Sequence, residues 1–208
     1  VLLDAVQAAP RLGADEWAPY GDAFALSAHK FYAPKGTGAL WVRPGLPLGR
    51  SRFGGGQEGG LFPGTENTPG IAAAAEAAAL LASELGEESV LLRVLEADFF
   101  ALAEKRGLEL RSESPADHAP GLFCISLPWA DSMEDLLFAL ARRQVCVSRF
   151  SACSGRVEGP SRVLSAMGRD AARASFSLRI GLGRFSKRED LYALLDGLAA
   201  VRDGAGRS

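Results

Sequence analysis

Three short apolar runs near the start of the chain constrain its fold most: Val1–Leu3, Asp22–Ser27 and Gly38–Val42. Each carries Ala, Val or Leu at successive positions rather than alternating with polar residues. That pattern suits strands covered by helices on both faces. The second run ends at Ser27, and His29, Lys30 and a Gly-containing turn follow at once in "SAHKFYAPKGTGAL". A lysine at the end of a buried strand poses a charge problem, because lysine is almost never buried unless its charge is paired or removed. Residue type leaves two answers open: the side chain snorkels to solvent, or the amine is held in a pocket and converted to a Schiff base.

The remaining pattern predicts two lobes. "FGGGQEGGLFPGTENTPG", Phe53–Gly70, is too rich in glycine for a regular element and reads as an extended loop. Thr68 followed by Pro69 is a helix start, with the helix running through the alanines to about Leu85 and stopping at Gly86. A second helix, Ser89–Arg106, would place Leu92, Leu95, Phe99 and Leu102 on one face and end at Gly107. Beyond it come strands at Gly121–Leu127, "VCVS" and "ASFSLRIGLG". The helix after Ser132 is expected to run to Arg143, with a short helical piece ending near Met167. A final helix, Glu189–Arg202, would follow a Ser186/Glu189 capping box. Buried strands followed by a mixed unit argue for an α/β domain over residues 1–85 and a small α+β domain over residues 86–208.

Composition excludes several classes. With 208 residues, 48% hydrophobic and 23% charged, the chain suits a globular protein that buries a real core. A formal charge of −2 gives no footprint for nucleic acid, and no apolar run is long enough to span a bilayer comfortably. Two histidines, and three cysteines without a CxxC pair, indicate neither a metal site nor a disulfide framework. A reducing, cytoplasmic setting is therefore expected. Because the chain opens on Val1 inside an apolar run, more sequence is expected before it.

Individual residues can carry chemistry. Asp4 follows a strand and would serve either as a helix cap or as the carboxylate that keeps a pyridinium nitrogen protonated. Ser27 and His29 offer hydroxyl and imidazole donors for a phosphate. Cys124 and Cys146, inside apolar stretches, read as small buried hydrophobes. Cys153 sits among Ser151, Ala152, Ser154 and Gly155, where a thiolate could reach a substrate. Arg149 and Arg156 are its basic neighbours. His118, in "SESPADHAP", reads as a solvated loop residue.

Four motifs in order, "DAVQA", "SAHKFYAPKGTGAL", "GGGQEGGLFPGTEN" and "SACSG", resemble the class V aminotransferase superfamily. Within it they look most like the cysteine desulfurases of the NifS and IscS type. "PSRVLSAMG" and "LRIGLGRFSKRED" are similar to the C-terminal lobe of the same family. The resemblance implies the C-terminal part of a PLP-transferase large domain, a mostly parallel sheet with helices on both faces, followed by the small α+β domain. It implies pyridoxal 5'-phosphate (PLP) as cofactor, with Lys30 forming the internal aldimine and acting as acid and base. It further implies Asp4 on the pyridinium nitrogen, Gln7 on the phenolic oxygen, and Ser27 and His29 on the phosphate. Thr65 would reach the phosphate of a partner subunit in a homodimer. Arg179 would hold the substrate α-carboxylate, and Cys153 would take sulfur from L-cysteine as a persulfide. Alanine is the other product.

The sulfur would then pass to an acceptor such as an iron–sulfur scaffold or a tRNA-thiolation protein. Other class V enzymes (a selenocysteine lyase or an aminotransferase), or a catalytically inactive interaction lobe, are the alternatives. The chain departs from the family pattern at Gly59, Phe62 and Pro63 in the glycine loop, at Ala33 after the lysine and at Phe150 before the cysteine. The family's ring-stacking histidine and phosphate turn would precede Val1.

Overall fold

The computed structural model describes residues 1–50, 52–149 and 159–204. The chain divides into two compact units, Val1–Gly86 and Glu87–Ser208. In the first, β1 (Leu2–Asp4), β2 (Ala23–Ser27) and β3 (Gly38–Val42) form one sheet in that order. β1 runs parallel to β2, with Leu2 opposite Ala23 and Asp4 opposite Ala25. β3 returns antiparallel, with Ser27 opposite Gly38. An antiparallel strand added to a parallel pair is common in α/β sheets. A short helix, α1 (Ala14–Trp17), lies in the connection from β1 to β2. Trp17 meets Phe24 edge-on, and Phe24 stacks on Trp41 of β3 at 4.5 Å between ring centroids.

The helix α2 (Thr68–Lys105) is 38 residues long and corrects the two-helix expectation. Gly86 does not end it. An interior glycine costs a helix only about 1 kcal/mol relative to alanine, and strong helix formers flank this one. The true stop is Gly107, whose φ of +62° glycine adopts without penalty; there Leu108 N donates to Ala103 O at 2.9 Å. At the other end the cap is Asn67 rather than Thr68, since Asn67 Oδ1 accepts from Gly70 N at 3.2 Å.

The second unit has an all-antiparallel sheet of β4 (Arg111–Ser112), β5 (Leu122–Ser126) and β6 (Ser177–Gly181). Its helices are the C-terminal half of α2, α3 (Met133–Arg142), α4 (Arg162–Ala166), α5 (Ala171–Ser175) and α6 (Arg188–Arg202). Phe123 and Ile125 of β5 and Leu178 and Ile180 of β6 point to one side, as alternate residues must. Leu92, Leu95 and Phe99 of α2, Leu136 and Leu140 of α3, and Leu195 and Leu198 of α6 close over them. Gly197 allows α6 to approach α3, because a Cβ there would lie 2.6 Å from Leu140. Ion pairs tie the same elements at their rims: Arg106 with Asp196, Arg188 with Asp98 and Arg184 with Glu88.

Four details differ from the sequence reading. "VCVS" forms no strand; only Ser148 bridges to Arg179 of β6. Cys146 in that stretch is exposed rather than buried, since without a ladder nothing draws its side chain inward. α6 is capped by Asp190, whose carboxylate accepts from Lys187 N at 2.8 Å, while Ser186 accepts from Gly183 N in the preceding turn. His118 is not a solvated residue. Its Nε2 lies 2.8 Å from Glu96 and its Nδ1 2.6 Å from Pro115 O, with most of the ring covered.

Phe99 is fully buried between Phe100 and Phe123. Phe99→Ala is expected to destabilise this unit by about 3–5 kcal/mol, measured as a lowered denaturation midpoint.

Candidate active site

The parallel pairing of β1 with β2 decides where the candidate residues meet. Parallel strands share a carboxyl end, and ligands of open α/β sheets bind just beyond that end. Asp4 is the last residue of β1 and Ser27 the last of β2. Asp4 stands opposite Ala25, and Ser27 follows Ala25 by two, so the Asp4 and Ser27 side chains leave the same face. Asp4 Oδ1 accepts from Val6 N at 3.2 Å, which starts the turn that carries Gln7. Gln7 is exposed.

Past Ser27 the chain makes a 3-10 turn, Ala28–Phe31. Such a turn has three residues per revolution, so positions 28 and 31 fall on one side. Ala28 and Phe31 are buried there against Leu81, Ala74 and Ala77 of α2, which turns His29 and Lys30 outward. Tyr32 ends the turn at a φ of +72°. Ala28 N donates to Thr37 O at 3.0 Å and closes the ten-residue loop between β2 and β3. Lys30 is therefore not buried at the strand end, contrary to expectation. Lys30 is exposed and is distinguished by its position beyond the strand ends.

Ser27 Oγ and His29 Nδ1 are 2.9 Å apart, so hydroxyl and imidazole act as one polar pair beside the lysine. The glycine loop is tied to the same hairpin. Asn67 Nδ2 donates to Thr37 Oγ1 at 3.4 Å, and a side chain at Gly70 would collide with both residues. Thr65, two residues before Asn67, is exposed. Within the loop the Arg52 guanidinium sits 4.5 Å over the Phe62 ring. No local pattern in the sequence marks this pair. Residues 4–11, 27–37 and 64–67 thus present a carboxylate, an amide, a hydroxyl–imidazole pair and an amine from one unit. That donor set fits PLP: an acceptor for a ring N–H, donors for a phosphate and an amine for an aldehyde.

In the second unit, Arg179 stands on β6 opposite Cys124 of β5, and its backbone pairs with Ser148 on the other side. It is half-buried on the face turned away from the apolar core. Among the described residues its guanidinium has no ion pair, unlike those of Arg169, Arg173, Arg184 and Arg188. Cys153 lies outside the described residues, as do Phe150 and Arg156. The described residues flanking that segment are joined, Arg149 Nη2 donating to Gly159 O at 3.4 Å.

A fully buried carboxylate, Glu113, was not foreseen. Arg173 grips it with Nε and Nη2, each at 2.8 Å. Arg169 Nε approaches at 2.8 Å and Ser126 Oγ donates at 2.7 Å. Burial would raise the Glu113 pKa, but the hydrogen bonds from Arg173 and Ser126 and the charges of Arg173 and Arg169 outweigh it and hold it below the ordinary carboxylate value. No local signal marks this residue in the sequence, since its partners lie 13 to 60 positions away. Among the described residues no cluster of His, Cys, Asp or Glu could hold a metal ion, and no helix is long and apolar enough to cross a membrane.

This arrangement defines an α/β unit with an amine and a carboxylate beyond its parallel strands, followed by an α+β unit whose sheet carries an arginine without an ion pair among the described residues. Residues 1–194 match the aminotransferase class-V family model, and the chain belongs to that family. A cysteine desulfurase IscS from Anaeromyxobacter sp. (strain K) is 38% identical over 92% of this chain and 48% of its own length. The mitochondrial cysteine desulfurase of Saccharomyces cerevisiae is 36% identical over 90% of this chain and 38% of its own. A solved NifS-like protein superposes with a TM-score of 0.82 at 28% identity, covering 97% of this chain and 52% of that one. The crystal structure of DndA from Streptomyces lividans gives 0.69 at 31% identity, over 88% of this chain. The fold is therefore that of the PLP transferases, and the chain spans about half the length of the curated relatives it matches.

Two outcomes follow from the electrostatics. Burial pushes the Cys124 thiol up to about 11; a hydrogen bond with Ser177 opposes it, and the charges of Glu113 and Arg179 add smaller effects of opposite sign. At pH 8 only about one part in a thousand is thiolate. Iodoacetamide should therefore label exposed Cys146 readily and Cys124 only after denaturation, read by mass spectrometry. Glu113 titrates below its usual 4.5, so its stabilisation is complete above that pH and is lost as pH falls through the folded value. Thermal melts from pH 6 to pH 3 should show this loss, and Glu113→Gln should flatten it while being less stable at pH 7.

Proposed function

We propose that this chain forms the C-terminal part of a PLP-dependent cysteine desulfurase, which converts L-cysteine to L-alanine and carries the sulfur as a persulfide on Cys153. The observation that supports it most is the β1–β2 register, which sends Asp4, Ser27, His29 and Lys30 to one strand end in a class-V chain. Relatives named cysteine desulfurase at 34–40% identity support the choice of reaction.

In this reading Asp4 accepts the ring N–H, Gln7 bonds the phenolic oxygen, and Ser27 with His29 binds the phosphate. PLP, once bound, supplies an electron sink for the carbanion at the substrate Cα. Lys30 takes the proton from Cα and returns one to the product. Arg179 grips the substrate carboxylate with its planar fork. The Cys153 thiolate attacks the substrate sulfur, the Cβ–S bond breaks, and the sulfur stays on Cys153. A homodimer with Thr65 on the partner's phosphate belongs to the same proposal. So do a sulfur-acceptor protein (an iron–sulfur scaffold or a tRNA-thiolation protein) and a cytoplasmic setting, which suits the free Cys124 and Cys146.

Two variants of the PLP-loaded enzyme test it. Lys30→Ala should lower alanine formation by at least about 10²–10⁴-fold, the usual worth of a positioned acid–base group. Cys153→Ala should keep the visible absorbance of bound PLP and lose both persulfide and alanine. Alanine made from cysteine at the parent rate by Cys153→Ala would instead indicate a selenocysteine lyase or aminotransferase. A lack of PLP absorbance would indicate an inactive interaction lobe.

A further inference from the structure

The sheet of the second unit has one apolar face and one polar face, and the polar face carries an ordered row. Glu113 N donates to Cys124 O at 2.8 Å, continuing the β4–β5 ladder by one residue, so Glu113 stands opposite Cys124. Cys124 stands opposite Arg179. Residues directly opposite across a ladder leave the same face of the sheet. Glu113, Cys124 and Arg179 therefore line up over three strands, with the first and last backbones about 10 Å apart, twice the strand spacing. Only a small thiol stands between them. Side chains as long as Glu and Arg can meet above it, and the Cys124 thiol already feels the charge of both.

A buried carboxylate beside a half-buried guanidinium should pair with it, because burial strengthens the attraction. Here it does not. Glu113 gives one oxygen to Arg173 Nε and Ser126 Oγ and the other to Arg173 Nη2 and Arg169 Nε. The two-pronged contact with Arg173 also fixes the plane of the carboxylate. Arg173 is held in turn: its backbone N donates to Asp170 Oδ1 at 2.8 Å, capping α5, and Ala174 O accepts from Ser161 N at 2.9 Å.

We propose that Arg173, aided by Arg169, is a positioning residue that keeps Glu113 from pairing with Arg179 and so leaves Arg179 open to the carboxylate of the amino-acid substrate. The inference rests on Arg179 as the carboxylate anchor. The competition is internal: freed of its two arginines, Glu113 is the carboxylate in line with Arg179, and it is present at a far higher local concentration than any dissolved amino acid.

A charge cycle on the PLP-loaded enzyme tests it, with KM and kcat for L-cysteine as readouts. R173Q should raise KM about tenfold with a smaller change in kcat. R169Q, which leaves the two-pronged contact intact and so disturbs folding less, should raise KM about threefold. E113Q should not raise KM, and R173Q/E113Q should return it to within about twofold of the parent. The distinguishing readout is a raised KM at near-parent kcat and melting temperature that E113Q restores, since a purely structural loss from a stranded Glu113 charge, which E113Q would also relieve, lowers kcat and the melting temperature together. An unchanged KM in both arginine variants, or a raised KM that E113Q fails to restore, overturns the inference. R179Q separates this failure from that of the underlying reading. If R179Q leaves KM at the parent value, the anchor assignment itself is wrong and the inference falls with it. If R179Q raises KM while the arginine variants do nothing, the inference alone is wrong.

Discussion

Everything at the candidate site depends on β2 being paired on both sides in opposite senses. Its parallel partner β1 brings Asp4 to the end where Ser27 leaves the sheet. Its antiparallel partner β3 forces the chain to turn back within ten residues, and that turn carries Lys30. A one-residue slip between β1 and β2 would send Asp4 to the opposite face from Ser27, because the side-chain period of a strand is two. The turn is fixed by burial rather than by the polar residues it displays. Ala28 and Phe31 are held under α2, and the 3-10 geometry leaves His29 and Lys30 no orientation but outward. Apolar packing thus aims the polar residues, and they need not pair with one another to be held in place.

The second unit divides its labour differently. One face of its sheet is filled with Phe, Ile and Leu, and α2, α3 and α6 cover it. The other face carries Glu113, Cys124, Ser126, Ser177 and Arg179 at the alternate positions of the same strands. Alternation therefore produces, without further instruction, a dry side that supplies stability and a polar side on which charge can be arranged.

Much of this was legible in the amino-acid order, and the exceptions share a cause. The three runs at Val1–Leu3, Asp22–Ser27 and Gly38–Val42 became β1, β2 and β3 because their composition and length are local properties. Leu92, Leu95 and Phe99 could be assigned to a core from their spacing alone. Gly86 misled because a glycine is only a weak helix breaker, and whether it stops a helix depends on how strongly the residues on each side favour continuing. "VCVS" misled because a strand needs a partner along its length, and of these four residues Ser148 alone is paired, with Arg179. Lys30 was singled out for the wrong reason. The apolar run before it suggested burial, whereas the turn that follows lifts it out. Glu113 and the Arg52–Phe62 pair left no mark, and His118 looked solvated, because each is defined by contacts between separated positions, and single-residue chemistry does not show who the neighbour will be.

Glu113 raises a question of economy. A buried carboxylate gripped by arginines is a poor device for stability alone. Desolvating the charges offsets most of their attraction, and apolar residues of similar volume often serve as well or better. Breaking such a cluster is costly, about 3–5 kcal/mol, but that cost measures the charge left stranded rather than a benefit gained. What the cluster supplies that leucines could not is a carboxylate of fixed direction. Both oxygens are committed to Arg173, Arg169 and Ser126, so the carboxylate is held by partners other than Arg179. The thiol in the row stays neutral, so it neither quenches the arginine nor relays the carboxylate's charge to it. The consequence is a guanidinium on a structured, half-buried surface with no internal ion-pair partner among the described residues, the condition a site needs if it is to bind a carboxylate from outside.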